Sequence, residues 1–283
     1  MRIEQLGEGT PEIAVVAAIH GDEPCGVRAV EQLLAESPAV ERPVKFVVAN
    51  EAALEQGVRY VDEDLNRAFP GDPDADTHEG RLAHEVAREV RDCTTLALHS
   101  TQSYGEPFAV TNTVGAIART VCPHLPISEL VDTQAETDGR LIEYPHTVEV
   151  ECGYQGSTRA AENAVELVRA FLRATGALPT GGVPELDGDE PGDSGDTAEG
   201  DDEPTEPSEV TVYRLGRPIP KEPADKYEVF ADNFERVEAG EAFAAADGRE
   251  VVADEPFYPI LLSAYGYESI FGYRSERVGV LDG

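Results

Sequence analysis

A histidine and a glutamate stand three residues apart in His20-Gly21-Asp22-Glu23. That spacing offers a neutral imidazole and a carboxylate to two corners of a tetrahedral zinc site. Taken alone, the pair could equally be a surface turn. A second histidine, His99, ends the apolar run Cys93-Thr94-Thr95-Leu96-Ala97-Leu98-His99-Ser100. A catalytic zinc takes three protein ligands and leaves its fourth position open, so His99 is eligible as the third. Between them lies Arg59-Tyr60-Val61-Asp62-Glu63-Asp64-Leu65-Asn66-Arg67-Ala68-Phe69-Pro70-Gly71, loop-like and crowded with donors. Arginines near a metal suit an anionic substrate, because guanidinium grips a carboxylate bidentately and stays charged. Glu151, in Val148-Glu149-Val150-Glu151-Cys152-Gly153, could act as a general base toward water at the metal.

These residues need a scaffold that brings strand ends together. Residues 13–19 read as a short buried strand rich in β-branched residues and closed by a Gly-Asp turn signal. Further strands are expected near 44–49, 94–99, 107–111 and 147–152. Helices are expected near 24–36, 77–91, 113–121 and 157–174, the last opening on a capping-box-like Ser157-Thr158-Arg159-Ala160-Ala161-Glu162. Alternation of this kind predicts an α/β sheet covered on both faces, whose ligands gather at the carboxyl ends of its strands. The expected organisation is an α/β domain over 1–182, an acidic flexible insert over 183–208, and a β-rich region over 209–283. The insert is rich in Pro, Gly, Asp and Glu and has too little apolar surface to bury.

Duller readings remain for several residues. Asp64 and Arg67 could be a local ion pair, or Asp64 could orient an arginine. Glu149 shares a strand face with Glu151, and both would be ordinary charges if that face met solvent. His78 and His84 lie on a predicted amphipathic helix and read as solvated; His124 and His146 have no defensible partner spacing. Cys25, Cys93, Cys122 and Cys152 show no CxxC pair and read as free thiols of a reducing cytoplasm.

The HxxE with its flanking Gly21 and Asp22, the Arg59…Asp64-Leu65-Asn66-Arg67 block, His99 and Glu151-Cys152-Gly153 follow one another in a recognisable order. Together they resemble the succinylglutamate desuccinylase and aspartoacylase family, related to zinc carboxypeptidases, over roughly residues 10–160. A looser likeness continues through Tyr258-Pro259-Ile260-Leu261-Leu262-Ser263-Ala264-Tyr265-Gly266-Tyr267-Glu268. The resemblance implies a three-layer α/β/α domain with a mixed sheet, and a smaller C-terminal β-rich domain that closes over the site. It implies one zinc per chain held by His20, Glu23 and His99. Glu151 would move the proton, Arg59 would steady the oxyanion, and Asn66 with Arg67 would hold a substrate carboxylate. Arg140 and Tyr267 are the further substrate-binding candidates, each one residue out of register with the family pattern. The implied reaction is removal of an acyl group from a small N-acyl amino acid by zinc-bound water, with amide and ester both open to attack. The rivals are a metallocarboxypeptidase and a non-catalytic zinc-containing metabolite-binding protein.

The chain has 283 residues, 41% of them hydrophobic, enough for a large domain and a smaller one. With 22 basic and 56 acidic residues, its net charge is −34, which argues against nucleic acid or an anionic membrane as partner. A homo-oligomer is left open. Residues 185–209 contribute twelve of the acids, so the remainder still sets 22 bases against 44 acids. Nineteen arginines against three lysines, in so acidic a chain, resemble the composition of a salt-adapted haloarchaeal protein. Self-repulsion of this size opposes compaction unless it is screened. Melting followed by circular dichroism should therefore shift upward between dilute buffer and molar salt; an unchanged melting curve would refute the salt requirement.

Overall fold

The computed structural model describes residues 1–135, 138–179 and 208–282. The acidic insert expected at 183–208 thus lies outside the described residues, apart from Ser208. The first part of the chain runs β1 (Arg2–Leu6), β2 (Ile13–Ala17), α1 (Cys25–Glu36), β3 (Val44–Val48), α2 (Glu51–Gln56), α3 (His78–Val90), β4 (Thr94–Thr101), β5 (Phe108–Thr111), α4 (Ala116–Val121), β6 (Glu129–Asp132), β7 (Thr147–Tyr154) and α5 (Thr158–Ala174). After the insert come β8 (Val210–Arg214), β9 (Pro218–Pro220), β10 (Tyr227–Val229), β11 (Ala242–Ala246), β12 (Arg249–Val252), β13 (Tyr258–Ile260) and β14 (Ile270–Leu281). Among the described residues no helix is long and apolar enough to cross a membrane.

The main sheet is mixed, in the order β1-β3-β2-β4-β7-β5-β6-β8-β14-β13. Its central strands β3, β2, β4 and β7 are all parallel. Burial on both faces explains the continuous apolar run of β2, in which every residue is buried. Side chains alternate across it: Ile13, Val15 and Ala17 join the core beneath α1 and α5, while Ala14 and Val16 join the core beneath α3. Helices on both faces make the three layers expected from the alternating pattern. α3 is capped by the Thr77 hydroxyl, which accepts from Gly80 N at 3.2 Å, and α5 by Ser157, which accepts from Ala160 N at 3.0 Å. All four cysteines are buried and free.

The large sheet continues across residue 209, because β8 pairs in parallel with β6 and antiparallel with β14. β9 pairs antiparallel with β14, and β10-β11-β12 form a small antiparallel sheet with its own core around Phe243, Phe257 and Phe271. A further cluster of Phe108, Val131, Tyr213, Phe234 and Ile260 welds that part to the main sheet. The segment between β13 and β14 is held down at both ends. Asn233 bonds Leu262 on both its donor and acceptor sides and reaches Ser103 O at 2.7 Å. Lys221 Nζ donates to the carbonyls of Ala264 (2.7 Å) and Tyr267 (2.5 Å).

One close approach sets the turn after β2. A Cβ on Gly21 would sit 2.1 Å from the backbone carbon of Ala53 in α2, and Gly21 N donates to Arg59 O at 3.1 Å. Only glycine lets the turn press against α2 while it is tied to the loop that carries Arg59. Gly21→Ala should therefore cost about 1–3 kcal/mol or more, the scale of an overpacked core. Denaturant titration checks this, and metal content should fall with stability; a wild-type midpoint would show that the close approach is dispensable.

Candidate metal centre

Adjacent parallel strands bring the chemistry to one rim. β2 lies beside β4 and β4 beside β7, so their carboxyl ends share an edge of the sheet. His99 and Glu151 are register partners across β4 and β7. His20 and Glu23 sit in the turn after β2, just before α1. His20, Glu23 and His99 are all buried, and their ligand atoms lie within 4.8 Å of one another. The Glu23 carboxylate is the hub: Oε1 lies 2.8 Å from His20 Nδ1, and Oε2 lies 3.1 Å from His99 Nδ1. Oε2 also accepts from Ser100 N at 3.2 Å, and Oε1 from Arg59 at 3.2 Å.

The far nitrogens of both rings face carboxylates. His20 Nε2 is 3.0 Å from Asp64 Oδ1, and His99 Nε2 is 3.7 Å from Glu149 Oε1. For His20 this is the second-nitrogen orientation that a metal-ligating imidazole ordinarily has; His99 Nε2 stands too far from Glu149 for a hydrogen bond and has no partner among the described residues. Two imidazoles and one carboxylate converging through Nδ1, Nδ1 and oxygen therefore fit a divalent cation of the zinc type. Asp64 also takes two bonds from Arg59, at 2.9 and 3.1 Å, so it orients both a ring and an arginine.

Glu149 is buried and fully partnered. Arg140 Nη2 donates to its Oε2 at 2.7 Å and Asn66 Nδ2 to its Oε1 at 3.0 Å. Asn66 Oδ1 in turn accepts from Leu141 N at 3.0 Å, which commits that amide on both sides. Glu79, in the first turn of α3, is a functional residue that sequence reasoning missed. It is completely buried and gathers the backbone N–H groups of Val61, Asp62 and Glu63 together with Asn50 Nδ2. This cradle fixes the loop from which Arg59 and Asp64 project.

The rim opens into a cavity of about 420 Å³, closed on one side by Leu261, Ser263, Gly266, Tyr267 and Glu268. Of the nine residues predicted for the site, eight line this cavity; Arg140 alone does not, being turned onto Glu149 behind the wall. Arg67 lines it and donates to Asn66 O at 2.6 Å, with no carboxylate in ion-pair range among the described residues. Glu151 Oε2 is buried without a hydrogen-bond partner. His78, His84, His124 and His146 do not line it.

Residues 9–104 match the family model of the succinylglutamate desuccinylase/aspartoacylase catalytic domain. The match to this desuccinylase/aspartoacylase domain takes in His20, Glu23, the Arg59–Arg67 block and His99, and it stops short of Arg140, Glu151 and Tyr267. No curated protein matches the chain. Among solved structures, the product-bound ectoine utilization protein EutE (DoeB) from Ruegeria pomeroyi is similar at 19% identity, over 99% of this chain and 88% of its own, with a TM-score of 0.71. Murine aminoacylase 3 is similar at 21% identity, over 97% of this chain and 98% of its own, with a TM-score of 0.68. A succinylglutamate desuccinylase from a Silicibacter species is similar at 20% identity, covering 99% and 88%, with a TM-score of 0.67. At these identities the likeness establishes the fold, a mixed α/β domain with a β-rich C-terminal region.

Charge in the desuccinylase/aspartoacylase-like site is strongly coupled. Burial opposes the charged form of His20, but Glu23 and Asp64 outweigh it and bring its pKa up to about 9. Burial works against the Asp64 and Glu23 carboxylates too, yet the facing imidazoles hold both far below the usual carboxylate range, with Arg59 adding to the effect on Asp64. For Glu149, burial is again outweighed, by Arg140, His99 and Asn66, and the pKa falls. Glu151 goes the other way: burial, opposed by His99 and reinforced by Glu23 and Glu149, pushes it up to about 7. Burial, with Tyr273 and Glu151 adding, raises the Tyr267 phenol above its ordinary value and keeps it a donor.

A metal needs neutral imidazole, so in the metal-stripped protein at pH 7 His20 holds a proton that the incoming ion must displace. Zinc titration in weak buffer at pH 7 should release about one proton per site from His20, and the apparent affinity should rise roughly tenfold per pH unit until about pH 9. Because the folded pKa is raised, the charged His20 stabilises the stripped fold below about pH 6.5, and this contribution is lost as pH rises through about 9. A proton release that does not vary between pH 6 and 10 would contradict the assignment.

Proposed function

We propose that the chain is a zinc-dependent hydrolase that removes the acyl group from a small N-acyl amino acid bearing a carboxylate. The observation that carries this reading is one cavity, capped on one side, in which His20, Glu23 and His99 converge beside the unpartnered carboxylate oxygen of Glu151. Zinc bound there would supply a Lewis acid that polarises the acyl carbonyl and eases deprotonation of water.

The chain's own groups account for the rest of the chemistry. Glu151, with its pKa near 7, is suited to take a proton from the attacking water and return one to the leaving amine. Arg59 borders the same cavity, held in place by Glu23 and Asp64, where it can face the oxyanion of the tetrahedral intermediate. Arg67 offers a guanidinium with no acidic partner among the described residues, the natural grip for a substrate carboxylate. Tyr267 contributes a protonated phenol from the C-terminal cap. Asn66 also borders the cavity, but its amide braces Glu149 and Leu141.

The small volume and the cap formed by residues 261–268 support a compact acyl amino acid over the extended peptide that a metallocarboxypeptidase would accept. The unpartnered Glu151 oxygen supports an enzyme over a protein that keeps the metal as structure only, since a buried carboxylate oxygen without a partner beside the metal ligands calls for a role, and a general base supplies one. Glu151→Gln should retain one zinc per chain by metal analysis while kcat for an N-acyl amino acid drops about 10²- to 10⁴-fold, the range for loss of a general base. Undiminished turnover in that variant would remove Glu151 from the mechanism.

A further inference from the structure

The arginines around this cavity are not equivalent. Arg59 is held by Asp64 and Glu23, and Arg140 is spent on Glu149. Arg67 alone of the three has no carboxylate partner among the described residues. We infer that the site accepts N-acyl amino acids carrying a single carboxylate and rejects those carrying two, with Glu149 as the residue that sets this limit. The inference rests on the deacylase reading and narrows its substrate class: a neutral acyl group, joined to an amino acid whose side chain is not acidic.

A second substrate carboxylate would meet guanidiniums that are already committed. Arg140 does not line the cavity, but it acts electrostatically on Glu151 and Tyr267, which do, so it is the remaining guanidinium that a second carboxylate could draw on, through the wall. To claim it, the ligand would have to displace Glu149 from a 2.7 Å pair. Glu149 has nowhere to go. It is 1% exposed, sits in the middle of β7, and already uses its other oxygen on Asn66. A displaced Glu149 would be an uncompensated buried carboxylate beside His99, which is strongly unfavourable. Without that displacement, the second carboxylate stands beside Glu151, with Glu149 a further negative charge buried behind the wall, in a poorly screened interior. A neutral group of the same shape suffers neither penalty.

The test uses the full-length zinc-loaded protein and matched substrate pairs that differ only in charge. One pair is N-acetyl-asparagine and N-acetyl-aspartate; the other is N-succinamoyl-alanine and N-succinyl-alanine. In each, the monocarboxylate should show a kcat/KM higher by about tenfold or more, as expected for a site with buried like charge. Equal or reversed preference would overturn the inference while leaving the deacylase reading intact. Hydrolysis of no member of either pair would overturn both. Glu149→Gln then isolates the cause, because it frees Arg140 from its counter-charge. Both ratios should fall severalfold toward unity, whatever the variant's absolute rate. Within one variant a general loss from a disturbed His99 cancels in the ratio, so an unchanged ratio would remove Glu149 from specificity. The wild-type comparison stands even if the variant fails to fold.

Discussion

Most of what this molecule does locally can be traced to the burial of one carboxylate. Glu23 is 4% exposed, and a buried charge persists only if every side of it is answered. Its partners come from separate stretches of chain: His20 from its own turn, Arg59 from the loop ahead of α3, and His99 with the amide of Ser100 from the end of β4. Each donor must arrive within a few tenths of an ångström. The turn after β2 achieves this by pressing against α2, where a side chain at Gly21 has no room, and the loop of Arg59 achieves it by hanging three amides on Glu79. The site is therefore where strand order, a turn and a helix N-terminus are locked together, and a divalent ion would complete the set rather than create it.

How much of this was readable in advance depends on the range of each interaction. Chemical residues that follow apolar runs were legible: His99 comes after Leu96-Ala97-Leu98 and Glu151 after Val150, although β4 and β7 run on past them to Thr101 and Tyr154. The alternation of strands and helices was legible for the same reason: buried parallel strands leave little ambiguity in their composition. Short or one-sided elements were not. Strand β1 (Arg2–Leu6) is mostly exposed, α2 (Glu51–Gln56) is under two turns long, and β6 (Glu129–Asp132) has four residues. None offers a periodicity long enough to register. Nothing in the sequence separates Glu79 from an ordinary first-turn acid of α3, since its partners are made by folding alone. The expected organisation divided the chain at 209, but strand pairing ignores sequence distance, and β8 continues the sheet begun by β6.

Glu149 shows the same limit more sharply. In sequence it differs from Glu151 only by position, two residues earlier on the same face of one strand. In the fold the two carboxylates are opposites. Glu149 is saturated by Arg140 and Asn66 and held ionised, whereas Glu151 keeps an unpartnered oxygen and a pKa pushed up to about 7. Environments that push two neighbouring carboxyls apart divide their roles, one holding structure and the other moving protons. No local spacing rule distinguishes them, because the cation that decides the matter arrives from the segment before β7.

Two problems of negative charge are solved here by different physics. On the surface the excess of acids over bases is large, but solvent ions can approach it, so added salt shortens the reach of each repulsion. In and around the site Asp22, Glu23, Asp64, Glu149, Glu151 and Glu268 outnumber Arg59, Arg67 and Arg140, in a region that mobile ions enter poorly. There the deficit has to be met by bound charge. Protons meet part of it, on His20 and on Glu151, and a divalent cation would meet it while returning both groups to the states that chemistry at a carbonyl needs. Metal and proton thus compete for the same cluster. A substrate anion adds to the deficit, so the number of negative charges it may carry is set by how many guanidiniums the protein has left unspent.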